Sequence, residues 1–138
     1  MPDSENIGLV VFAHGSRVTA ANNAVRAVAR EASRRAGMPS YRAAFLELSE
    51  PTLAEAVSQL AAEGISHVLV TPYFLTMGRH LTEDLPRLLA DVRSEHPGMT
   101  VEASPPLDGH PDLAGILASR ARAMLRSGED ELADAAGR

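Results

Sequence analysis

Four short apolar runs alternate with four stretches of helical periodicity along this chain, and that alternation constrains the fold more than any other feature. Short runs rich in Leu, Val, Ile and Phe read as strands buried on both faces, and the helices between them read as crossovers. The pattern predicts an α/β domain with one four-stranded parallel sheet, right-handed crossovers and helices on both faces. At 138 residues there is room for about one such domain.

The first strand is expected at about residues 7–13 and the second at about 41–46. The third falls within "HVLVTPYFL", the most apolar segment and so a central strand, and a weaker fourth at about 100–104. The helix after strand one should stop at Gly37, and the next should carry Pro51 in its first turn with Gly64 beyond its end. A third helix is predicted over about 84–95, with Pro86 in its first turn because an interior proline breaks the hydrogen-bond ladder. The last helix is expected over about 113–125. The domain is then residues 1–127, and the acidic remainder, 128–138, is expected to fray.

In an open parallel sheet, ligands bind outside the carboxyl ends of the strands. That rule selects His14 after strand one, Glu47 after strand two, His80 beyond strand three, and Asp108 and His110 after strand four. Two imidazoles and a carboxylate converging on one edge can hold a divalent cation or move protons near neutral pH. His67 precedes strand three on the opposite edge and His96 ends a helix, so both are assigned structural roles. His110 is ambiguous, because "GHPDL" also reads as the start of a helix.

Composition removes several alternatives. There is no cysteine, which excludes a thiol nucleophile, a cysteine-ligated metal and any disulfide. All 13 basic residues are arginine, which excludes a Walker-A loop and Schiff-base chemistry. A net charge of -5 without a basic stripe argues against nucleic acid as a partner. No window is apolar enough to span a membrane, and "MPDSEN" with its short apolar sequel is not a signal peptide, so a cytoplasmic location is expected. A phosphohistidine enzyme would carry arginine where Ala13 stands, and no nucleophile elbow of the G-x-S-x-G type is present.

Four motifs, "VFAHGSR", "AFLELSEPTLAEAV", "VTPYFLTMGRHLTEDLP" and "PLDGHPDL", follow in this order from about residue 7 to 125. In order and spacing they resemble the short single-domain sirohydrochlorin chelatases of the class II chelatase group. The resemblance implies a chelatase-like, flavodoxin-like half domain that inserts cobalt or iron, with nickel as a further chemical option, into sirohydrochlorin without ATP or a tightly bound cofactor. By the same resemblance His14 and His80 are the family's histidines and Glu47 its acidic residue, each in catalysis and metal contact.

The chemistry of the residues agrees with that implication. Inserting a divalent metal into a tetrapyrrole strips water from the metal and removes two pyrrole N–H protons. Neutral imidazoles ligate borderline metals and accept protons, and a nearby carboxylate supports both tasks. A flat, polycarboxylate substrate asks for an apolar wall, here Leu75 and Met77, and for cationic or N–H groups at the rim, here Arg17, Arg79 and the backbone of Gly15, Ser16 and Gly78. A non-catalytic metal or tetrapyrrole carrier of the same fold would use the same histidines. One four-stranded sheet offers a shallow edge, so a C₂ homodimer is expected to close the cleft, covering apolar positions around Leu75, Met77 and Leu81.

Overall fold

The computed structural model describes residues 6–136, with side chains described as far as residue 128; the first five residues of the "MPDSEN" stretch, read as no part of a signal peptide, lie outside this range. The elements run β1 (Ile7–Ala13), α1 (Thr19–Ala36), β2 (Ser40–Phe45), α2 (Leu53–Ala62), β3 (His67–Pro72), α3 (Arg79–Glu95), β4 (Thr100–Ala103) and α4 (Pro111–Ala136). The strands form one sheet in the order β2-β1-β3-β4. Every neighbouring pair is parallel.

The chain divides into two units, residues 1–108 and 109–138. In the first, the alternation of side chains along β1 sorts the core into two layers. Leu9, Val11 and Ala13 pack with Ala43 and Phe45 of β2 and Ala29 of α1. Val10 and Phe12 face the other way, onto Leu60 of α2, Leu85 of α3 and Val70 of β3. All seven residues of β1 are buried, as a strand covered by helices on both faces must be.

Local chemistry sets the helix ends. Gly37 takes a left-handed conformation, φ 70°, and its N–H and the next close the last turn of α1 on the Arg34 and Ser33 carbonyls. At α2, Thr52 and Glu55 form a reciprocal capping box, so Thr52 is the N-cap and Pro51 stands before the helix rather than in its first turn. The β2 edge is held by Arg42, which donates to the Tyr41 carbonyl at 2.7 Å and to Gln59 of α2 at 2.9 Å, and also pairs with Glu63.

Helix α3 begins five residues earlier than expected, at Arg79 instead of Asp84, which places Pro86 inside it. The cause is burial. Leu81, Leu85, Leu89 and Val92 lie on one face and all are buried. Four such side chains contribute roughly 6 to 12 kcal/mol, against about 3 kcal/mol for an interior proline. Pro86 itself is exposed, so its ring strains nothing in the core.

The second unit is α4. Its backbone remains helical to Ala136, past the expected end at residue 125, so the acidic segment continues a helix up to the last two residues, which lie outside the described range. Glu, Leu and Ala are strong helix formers, and Gly128 opposes them most, at about 1 kcal/mol. Among the described residues no helix is long and apolar enough to cross a membrane.

The geometry of α3 yields a stability prediction. Proline at position 86 denies the Thr82 carbonyl its i+4 donor, so Pro86→Ala should raise unfolding stability by about 1 to 3 kcal/mol. Urea denaturation measures it directly. A loss of stability would show that ring contacts, and not the missing hydrogen bond, govern this position.

Candidate active site

Strand β1 delivers His14 to the carboxyl edge. The parity of Val10 and Phe12 continues to His14, whose imidazole stands edge-on to Phe74, with ring centroids 6.4 Å apart. Phe74 is buried and stacks edge-on against Phe12 in turn, at 5.8 Å. The apolar core thus supports one side of the imidazole while the rest stays open.

The β1 and β2 exits are bonded to each other beyond the strand ends. Leu46 N–H donates to the Ala13 carbonyl at 2.9 Å and Glu47 N–H to the His14 carbonyl at 3.1 Å. These bonds bring Glu47 beside His14, and Oε1 lies 3.1 Å from Nε2. The two side chains are 60% and 56% exposed. Even a fully charged pair so exposed is worth at most about 1 kcal/mol to folding. Stability therefore does not account for the pairing, and both groups remain open to a metal or a substrate.

Gly15 is what allows the two exits to approach. Its φ is 95°, and a Cβ built there would stand 1.8 Å from the Glu47 carbonyl oxygen. Both the backbone angle and the contact demand glycine.

The other expected residues are placed less uniformly. His80 lies in the first turn of α3, exposed, after Gly78 as N-cap. Among the described residues no three of His, Asp and Glu come close enough to hold a metal ion, so the expected set of His14, Glu47 and His80 is present as the His14–Glu47 pair. Burial of Leu81 and Leu85 fixes where that turn of α3 sits. Ser16 does not offer a free N–H to a substrate carboxylate, because Asn22 Oδ1 accepts from it at 2.9 Å. Arg17 is exposed, and Arg79 lies 3.5 Å from Glu83 in a solvated i,i+4 contact. Leu75 is 71% exposed and available as an apolar wall, whereas Met77 packs partly against the core and Leu81 is buried within it.

The remaining histidines have local partners. His67 bonds Glu102 across β3 and β4 at 2.7 Å, and His96 bonds Ser58 at 3.2 Å. His110 Nδ1 accepts from Asp112 N–H at 3.1 Å, a bond that serves the start of α4. Sequence reasoning passed over Phe74, hidden in the apolar run "PYFL", and Asn22, whose position on the inner face of α1 was its one signal.

The fold and site together are a parallel α/β sheet with an exposed imidazole and carboxylate in contact at its carboxyl edge. Residues 8–124 match the CbiX family model, and the chain belongs to the CbiX family. It is 32% identical over 118 residues to the chloroplastic sirohydrochlorin ferrochelatase of Arabidopsis thaliana, covering 86% of this chain and 52% of that protein. It is 30% identical over 132 residues to a sirohydrochlorin cobaltochelatase of Methanococcoides burtonii, covering 88% and 99%. The crystal structure of a CbiX protein from Marinobacter aquaeolei superposes with a TM-score of 0.78 at 26% identity, over 88% of this chain and 98% of that one. The chain thus spans about half of the Arabidopsis relative and nearly all of the other two.

The Gly15 geometry is directly testable. Gly15→Ala should destabilise the chain by about 1 to 3 kcal/mol from the backbone angle alone, and displacement of the Glu47 peptide should add to that. An unchanged urea midpoint would mean that the two exits part without cost.

Proposed function

We propose that this chain inserts a divalent metal, cobalt or iron, into sirohydrochlorin without ATP. The observation that carries the reading is the exposed His14–Glu47 contact at the carboxyl edge of a CbiX-family sheet. The named relatives support it: one is a ferrochelatase and one a cobaltochelatase, both of sirohydrochlorin.

The reaction exchanges two pyrrole protons for one M²⁺, so the site needs a ligand to receive the metal and a base to receive protons. His14 does one of these at a time, since a neutral imidazole has a single acceptor nitrogen, and Glu47, His80 and solvent receive what it does not, the metal or the remaining proton. When it takes a proton, the Glu47 carboxylate 3.1 Å away stabilises the imidazolium. A cation that must be handed on is better served by an open pair than by a closed four-ligand cage, which retains its metal. His80, in the first turn of α3, supplies the second imidazole once substrate occupies the edge. Arg17, Arg79 and the N–H of Gly78 face the substrate carboxylates, and Leu75 and Met77 its apolar ring. No resident cofactor enters the scheme. The metal is substrate, and cobalt against iron decides whether the product feeds a cobalamin or a sirohaem route; nickel suits the same ligands. The reaction takes place in the cytoplasm.

Three substitutions and a control test the residues. His14→Ala and His80→Ala should each slow insertion about a hundredfold or more while the fold persists, and Glu47→Gln should slow it and alter its pH dependence. His67→Ala should retain most activity, because its bond to Glu102 lies away from this edge. Equal losses in all variants would sink the assignment. Absorbance-monitored turnover of metal-free sirohydrochlorin under anaerobic conditions, with Co²⁺, Fe²⁺ and Ni²⁺ compared, separates an enzyme from a carrier, which would bind without turning over.

A homodimer completes the proposal. His14, Glu47 and Leu75 are all open in the single chain, and a flat ring needs an opposing wall to exclude water. A second copy across a two-fold axis provides one. Sedimentation equilibrium at micromolar concentration should show about twice the 14.6 kDa chain mass. A monomer with full activity would defeat this part.

A further inference from the structure

Helix α1 contributes no side chain to the His14–Glu47 contact, yet two of its residues grip the loops that carry it. Asn22 is 6% exposed, one of the two polar side chains buried in the described chain. Its Oδ1 accepts from Ser16 N–H at 2.9 Å and its Nδ2 donates to the Ser16 carbonyl at 2.8 Å. The amide thus engages both backbone groups of a residue two beyond His14. One helical turn on, Arg26 does the same for the other loop. Its Nη2 donates to Ser49 Oγ at 3.1 Å and to the Glu50 carbonyl at 3.0 Å. Its Nη1 donates to Asn23 at 2.9 Å, and the guanidinium lies 5.1 Å above the Phe45 ring.

The loop that Arg26 holds is strained. Leu48, between Glu47 and Ser49, has φ 64°, a left-handed conformation that costs a branched residue about 1 to 2 kcal/mol. Such a residue persists only where its surroundings over-determine it. The guanidinium, with donors fixed in one plane, is suited to that task in a way a lysine is not.

We propose that Asn22 and Arg26 are positioning residues: spaced one turn apart on a rigid helix, they hold the segments that follow His14 and Glu47 and so set the separation of the imidazole and the carboxylate. Arg26 acts on the reaction through Glu47 and touches neither metal nor substrate. The kinetic part rests on the chelatase reading; the structural part does not.

The test joins two measurements on the full chain. In cobalt insertion, Arg26→Gln should lower kcat about tenfold or more while KM for sirohydrochlorin stays within about twofold. Arg26→Lys, which keeps a cation near Phe45 but loses the fork, should fall between. In a Glu47→Gln background, Arg26→Gln should cost less than about twofold further, since both act on one group. Additive losses, or an unchanged kcat, overturn the proposal. Independently of activity, amide hydrogen exchange in Arg26→Gln should accelerate about tenfold at Leu46 and Glu47 and stay unchanged at Val10 and Val11. A uniform acceleration, or none, overturns it too. Arg30→Gln, one turn further along α1, should alter neither measurement. If the unaltered chain inserts no metal, the chelatase reading fails and the exchange pattern alone decides the positioning role.

Discussion

The constraint on which the rest depends is the complete burial of β1. Its neighbours β2 and β3 occupy both edges, and its seven side chains are divided between two packed layers. A strand so enclosed has no freedom of register, because a slip of one residue would exchange its two faces. The point at which the chain leaves the core is therefore fixed, and the first residue outside is His14. A polar group there costs no desolvation and still inherits the rigidity of the core through Phe12 and Phe74. The site is anchored on one side and solvated on the other.

Two of the three histidine–carboxylate pairs among the described residues show how position, and not residue type, assigns chemistry. His67 and Glu102 meet at 2.7 Å, a shorter approach than His14 and Glu47 make. His67 opens β3 at the amino edge, its side chain only 23% exposed, and its bond ties two strands together. The longer contact joins two loops at the carboxyl edge, where no ladder needs it. The weaker pair is the more available one.

Strand positions and sheet class were legible in the sequence because fully buried strands advertise themselves as apolar runs. The order β2-β1-β3-β4 places "HVLVTPYFL" in the interior of the sheet, as its apolarity required. The start of α3 was misread because a local rule, proline excluded from helix interiors, was weighed without the tertiary burial of Leu81 that overrides it. The end of α4 was placed near residue 125 because the acidic residues that follow were read as a tail, whereas the backbone continues helical to Ala136. At the site, topology brought His14 and Glu47 to one edge in advance, while the engagement of the Ser16 N–H by Asn22 could not be foreseen. A helix-interior asparagine does not announce which loop it faces.

Arg42 has a consequence for how copies of this chain can meet. An open sheet ends in strands whose free backbone groups invite another strand, the route to edge-to-edge aggregation. On β2 the guanidinium occupies the Tyr41 carbonyl and is itself held by Gln59 of α2 and by Glu63 just beyond it, so an incoming strand would have to displace a charged group from three partners. At the opposite margin β4 is only four residues long, too short to template much pairing. Both margins of the sheet thus resist extension, which leaves faces and loops, and not backbone ladders, as the surfaces through which association can remain finite.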